Sequence, residues 1–111
     1  MPLNIDEKGL RLIDEMLKLT EYASQTLHGL VASAQFVEGY PADKLQRLNY
    51  ELDQVKNQLR RVDFFMVVAV GNHPTKDKLS FNASIEERRA RLVRIKKVVS
   101  MTQEKLDAIN E

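Results

Sequence analysis

Residues 45–69 read LQRLNYELDQVKNQLRRVDFFMVVA, and within them Leu45, Leu48, Leu52, Val55, Leu59, Val62, Met66 and Ala69 recur in steps of three and four. A mean step of about 3.5 residues holds these side chains on one face of an α-helix, where they can pack against partner helices. The same spacing appears on both sides of this stretch. Upstream it runs through Ile13, Met16, Thr20, Ala23, Leu27, Leu30, Ala34 and Val37. Downstream it runs through Ile85, Arg88, Leu92, Ile95, Val99, Thr102, Leu106 and Ile109. Three such seams predict an all-α fold, an antiparallel three-helix bundle with coiled-coil-like heptad packing that could itself pair into a dimeric bundle.

The breaks between seams set the expected boundaries. Helix 1 is expected over about 4–38, with Asn4 as N-cap and Glu7 in capping-box register. The Glu38-Gly39-Tyr40-Pro41 sequence should end it. Gly39 suits a left-handed C-terminal position, and Pro41 can only begin the next helix. Helix 2 is expected over 41–70, with Asp43 in its first turn, where negative charge is favoured. Gly71-Asn72-His73-Pro74 opens a loop over 71–83, in which Leu79 and Phe81 are candidate anchors. Helix 3 is expected over 84–110, with Ser84 as N-cap and Glu87 closing a capping box. The short first connection makes helices 1 and 2 antiparallel neighbours, and up-down-up is the simplest completion. Gly29 lies inside helix 1, where glycine costs about 1 kcal/mol relative to alanine. Close approach of a neighbouring helix is the reading that explains it.

Composition narrows the function classes. The 111 residues form one domain's length of chain, 43% hydrophobic and 30% charged, which fits a folded protein. A formal net charge of +1 gives no bulk reason to expect nucleic acid or anionic membrane. Cysteine is absent, which excludes disulfides, thiolate nucleophiles and Cys-ligated zinc and fits a cytoplasmic chain. Residues 1–11 lack the apolar core of a signal peptide. The longest apolar run, Phe64 to Val70, is far short of the roughly 20 residues a membrane helix needs.

No catalytic or cofactor motif is visible. The chain has no G-x-S-x-G elbow, P-loop or dinucleotide fingerprint. His28 and His73 are isolated, without a carboxylate or second histidine at metal-ligand spacing. Adjacent acids such as Asp14-Glu15 and Glu86-Glu87 diverge on a helix. The chain is therefore expected to be no enzyme and to carry no metal or cofactor.

Two features could carry function. At Phe64 the outer side of helix 2 turns apolar as well, and a helix apolar all round demands cover all round. Either the following loop folds back over it or a second chain does. Val93, Val98 and Met101 also lie off the seam of helix 3. Phe64, Val67, Val68, Phe81 and Met101 are thus the candidate interface for a homodimer or another protein, with Arg91, Arg94 and Lys97 as a charged rim. The function that follows is a non-catalytic protein–protein interaction module of adaptor, chaperone or inhibitor type.

The second feature is the basic segment 88–97, which with Arg60 and Arg61 gives the patch Arg60, Arg61, Arg89, Arg91, Arg94, Lys96 and Lys97. It supports an alternative, a nucleic-acid-binding accessory protein. Helical geometry scatters these cations, however. Arg89 and Lys96 fall on one flank, Arg91 and Arg94 on the other, and no aromatic residue is interleaved for base stacking. A solvated face is the simpler reading. Arg88 falls in the seam itself; snorkelling to the nearby bundle end is preferred over pairing with a carboxylate.

Overall fold

The computed structural model describes the backbone of residues 7–72 and 78–110 and the side chains of 8–69 and 83–110. They form three α-helices: α1 (Glu7–Ala34), α2 (Ala42–Asn72) and α3 (Lys78–Asn110). All three pack against one another in a rod of 59 × 24 × 19 Å. Ion pairs fix the directions. Asp14 and Glu21 of α1 pair with Arg88 and Arg91 of α3, so these helices run parallel. Asp63 and Lys56 of α2 meet Lys96 and Gln103 of α3, so these run antiparallel. The order is up-down-up.

The seams of α2 and α3 form the core as their spacing predicts. Leu48, Leu52, Val55, Leu59, Val62, Met66 and Ala69 are buried, as are Ile85, Leu92, Ile95, Val99, Thr102 and Leu106. Leu45 and Ile109 cover its end. The seam of α1 differs by one residue in every second step. The buried set is Ile13, Leu17, Thr20, Ser24, Leu27, Val31 and Ala34. Met16 is only half-buried, and Ala23, Leu30 and Val37 are exposed. Both sets keep the three-four rhythm, so spacing alone does not separate them.

Three hydroxyls sit in this apolar axis. Thr20 Oγ1 donates to the Met16 carbonyl (2.6 Å), Ser24 Oγ to that of Glu21 (2.9 Å) and Thr102 Oγ1 to that of Val98 (2.8 Å). Each is satisfied by its own helix, so burial leaves no orphaned donor.

The helix ends depart from expectation at three places. α1 stops at Ala34, because Phe36 N–H bonds Ser33 O and Val37 N–H bonds Ala34 O, tightening the chain into i→i+3 turns. Gly39 has φ of +67°, the left-handed conformation foreseen for it. The Pro41 carbonyl accepts the first bond of α2 from Leu45 N–H (3.0 Å). The loop expected over 71–83 is mostly helical: α2 continues to Asn72 and α3 begins at Lys78. Ser84 is therefore an interior residue and caps nothing. Residues 78–83 contain neither Gly nor Pro, so nothing halts the helix there. Asn4 and His73 lie outside the described residues.

Arg88 also departs from expectation. It does not snorkel; its side chain is 17% exposed and forks onto Asp14, Nε to Oδ1 at 2.8 Å and Nη2 to Oδ2 at 2.9 Å. Nη1 donates to the Ser84 carbonyl (3.0 Å) and hydroxyl. The guanidinium's planar fork matches a carboxylate, and a partly buried charge needs that match. Gly29 is a further correction. Among the described residues nothing approaches it, since a Cβ placed there would meet nothing within 4 Å.

Two outcomes follow for stability. Asp14→Ala should cost about 1.5 kcal/mol in a urea titration by stranding the guanidinium, and adding Arg88→Met should restore most of it. An unchanged midpoint for Asp14→Ala would show the pair to be idle. Gly29→Ala should raise stability by about 0.8 kcal/mol at low protein concentration, by helix propensity alone.

Candidate interaction surface

The expected interface residues that are described lie on two helices. Phe64 is 63% exposed on the outer side of α2, and Val67 is similarly open. Phe64 meets Phe65 edge to face, with ring centroids 6.2 Å apart and planes at 67°. Phe65 and Val68 are half-buried and pack onto the core. Met101 is exposed, but on α3. The α2–α3 register set by Lys96 to Asp63 and Lys56 to Gln103 puts it level with Gln58, about 9 Å along the rod from Phe64. The Phe81 side chain lies outside the described residues. Helix 2 is therefore not apolar and covered all round near Phe64: Val62, Met66 and Ala69 face inward while Phe64 and Val67 face solvent.

The basic residues are largely paired close to home. Arg89 bonds Glu86 (3.0 Å), Arg91 bonds Glu21 (2.9 Å), and Lys96 lies 3.6 Å from Asp63. Arg60 donates to the Asn57 side chain at 3.0 Å. Arg61, Arg94 and Lys97 make no ion pair among the described residues. Arg91 and Arg94 line a 260 Å³ cleft between α1 and α3 with Glu21, Ser24, Gln25, Ile95 and Val98. Arg89 and Lys96 lie on the opposite flank, toward α2, as helical geometry required. The cations therefore never form one continuous positive surface.

The open apolar surface is elsewhere, on α1. Leu12, Leu19, Tyr22, Leu30, Phe36 and Val37 are each more than half exposed. Tyr22 is 73%, Leu19 65% and Phe36 90% exposed. Leu12, Met16, Leu19, Ala23, Thr26 and Leu30 repeat in four-three steps beside the buried seam, giving α1 a second apolar stripe. The stripe borders a groove shared with α2. One part, of 290 Å³, is lined by Leu19, Thr20, Ala23, Glu51, Gln54, Val55 and Gln58; the adjoining part, of 280 Å³, by Tyr22, Ala23, Thr26, Leu27, Leu30, Glu51 and Val55.

The α1 side of this surface from Tyr22 onward is free of charge, and Glu51 of α2 lines the groove beside it. Tyr22 to Val37 are sixteen residues without Asp, Glu, Lys or Arg, in a chain that is 30% charged. Tyr22, Gln25, Thr26, Gly29, Leu30, Ser33, Phe36 and Val37 within it are all exposed. A helix face bathed in water ordinarily carries ions, whereas the centre of an interface is depleted of them. That gap in charge was the sequence signal for this surface.

Metal-ligating side chains are dispersed among the described residues. They contain no group of three His, Cys, Asp or Glu residues placed to hold a metal ion. His28 is half-buried, and its Nε2 has no hydrogen-bond partner among the described residues. No described helix is long and apolar enough to cross a membrane. No family model, no curated protein and no solved structure matches the chain.

The contrast between α2's two sides is testable. Phe64→Asp should shift the unfolding midpoint by less than about 0.5 kcal/mol, whereas Met66→Asp, two residues on and fully buried, should abolish folding. Equal losses at both positions would mean that Phe64 is covered.

Proposed function

We propose that the chain is a non-catalytic protein–protein interaction module, of adaptor, chaperone or inhibitor type, whose docking face is the outer side of α1. The supporting observation is the exposed, charge-free stretch from Tyr22 to Val37 with Leu19 beside it. Burying a half-exposed Leu or Tyr releases water at about 25 cal/mol per Å² of apolar surface, so this face gains most from a partner. Among the described residues the one ion lining its groove is Glu51, which already pairs with Arg47 at 3.0 Å. Phe64 and Val67 form a smaller satellite patch on another side of the rod. A cysteine-free chain suits a reducing compartment such as the cytoplasm. The nucleic-acid alternative is the weaker reading because Arg89, Arg91 and Lys96 are paired locally, leaving Arg61, Arg94 and Lys97 as its cations without an ion pair among the described residues.

The test separates docking from folding. Leu19→Lys with Leu30→Lys should give a chain with undiminished helical signal and an unfolding midpoint within about 1 kcal/mol of the parent. The same pair should abolish association through α1. A double variant that unfolds would assign the stripe to the core and end the reading.

A further inference from the structure

We infer that the cleft between α2 and α3 is a binding site for a doubly charged phosphate group, free or carried by a small molecule, held by Lys56, Arg60 and Lys96. The site is independent of the α1 docking face. Lys56 and Arg60 stand one turn apart on α2, Lys96 enters from α3, and all three line one cleft of 320 Å³. Leu59, Val99 and Ser100 also line it, the first two buried in the core. Asp63 is the acid among the lining residues.

The first argument is the state of these cations. Elsewhere the arginines beside a carboxylate grip it: Arg47, Arg88, Arg89 and Arg91 each hold one within 3.0 Å. In the cleft that pairing lapses. Lys56 donates to the Gln103 amide oxygen and Arg60 to that of Asn57, and both acceptors are neutral. Lys96 Nζ stands 3.6 Å from Asp63 Oδ2, beyond hydrogen-bond length, and both side chains are about half exposed. Ammonium and guanidinium groups carry more N–H donors than these contacts use. Like charges at i and i+4 also oppose each other along a helix, and a third cation across the cleft adds to the repulsion. An anion placed between them turns that repulsion into attraction.

The second argument selects the anion. Three cations facing one carboxylate leave two positive charges in the cleft. A phosphate monoester carries about −1.5 to −2 near neutral pH and presents three acceptor oxygens, one for each cation. A carboxylate offers a single charge and two oxygens. Buried Leu59 and Val99 keep water from one side, and a low-dielectric wall concentrates the field of the cations. The volume lies at the small end of ligand pockets, which suits a phosphate with a short organic body. One isolated pocket fits a single phosphate, not the run of phosphates along a nucleic acid.

NMR titration of the isotope-labelled chain with inorganic phosphate, and separately with glycerol phosphate, tests the site at fixed ionic strength and slightly alkaline pH. Saturable shifts should centre on Lys56, Arg60, Lys96 and Ser100, and chloride at the same ionic strength should not produce them. Arg60→Gln and Lys96→Gln should each weaken binding about fivefold. Arg61→Gln, next in the chain but outside the cleft, should leave it unchanged. Asp63→Asn should tighten binding about twofold by removing the opposing charge. All four positions are exposed, so these variants keep the fold. Tighter binding of the ester assigns the site to a phosphorylated small molecule and equal binding to free phosphate; both uphold the inference. Shifts that never saturate, that chloride reproduces, or that Arg61→Gln reduces as far as Arg60→Gln does overturn it. Weaker binding by Asp63→Asn overturns it as well, because the acid would then belong to the site as a positioning group and not as an opposing charge.

Discussion

One apolar axis, shared by three helices, holds this molecule together. Each helix contributes about one side chain per turn to it, and none of the three could bury its seam alone. Among the described residues its buried polar side chains are Thr20, Ser24 and Thr102, and each bonds back to a carbonyl of its own helix. Everything outside the axis, charged flanks and connections included, is arranged around that packing. It also leaves each helix with faces that the bundle does not use.

The seams of α2 and α3 were legible because their off-seam neighbours are polar. Asp53, Lys56, Asn57 and Arg60 flank α2, and Glu86, Arg89, Lys96 and Lys97 flank α3. No alternative phase competes there. On α1 two phases compete. Leu17 is buried beside Met16, Ser24 beside Ala23, and Val31 beside Leu30. In the last two pairs the more hydrophobic neighbour is the exposed one, so hydropathy favours the wrong residue. Ile13, Thr20, Leu27 and Ala34 belong to the true seam, while Met16, Ala23, Leu30 and Val37 belong to the second stripe. Reading them as one seam concealed the face that most needs a partner. Large side chains stand out locally from Phe64 to Val70, whereas the signal over Tyr22 to Val37 is an absence of ions spread over sixteen residues.

The ends of the helices were less legible than their faces, for a physical reason. A capping box such as Ser84 to Glu87 permits a helix to begin but does not oblige it to. Where no Gly or Pro intervenes, the helix extends backward, and the would-be cap becomes an acceptor for Arg88. The Gly39-Tyr40-Pro41 turn was read correctly because it combines two residues with hard backbone constraints. Arg88 was misjudged because its carboxylate partner, Asp14, is distant in sequence and adjacent only in the fold.

The inward-turned hydroxyls have a consequence for how the helices find their alignment. A Thr or Ser that closes on its own helix asks nothing of a neighbour, so sliding one helix past another by a heptad would leave it content. Arg88 and Arg91 behave oppositely: each reaches across to α1, and sliding α3 by a heptad toward the α1 C-terminus would leave Arg91 level with His28 and without its carboxylate. Between α1 and α2 the alignment is instead covalent, imposed by the few residues from Gln35 to Pro41. Grease supplies cohesion without direction here, and vernier-like positioning comes from a short tether on one side and two charge contacts on the other.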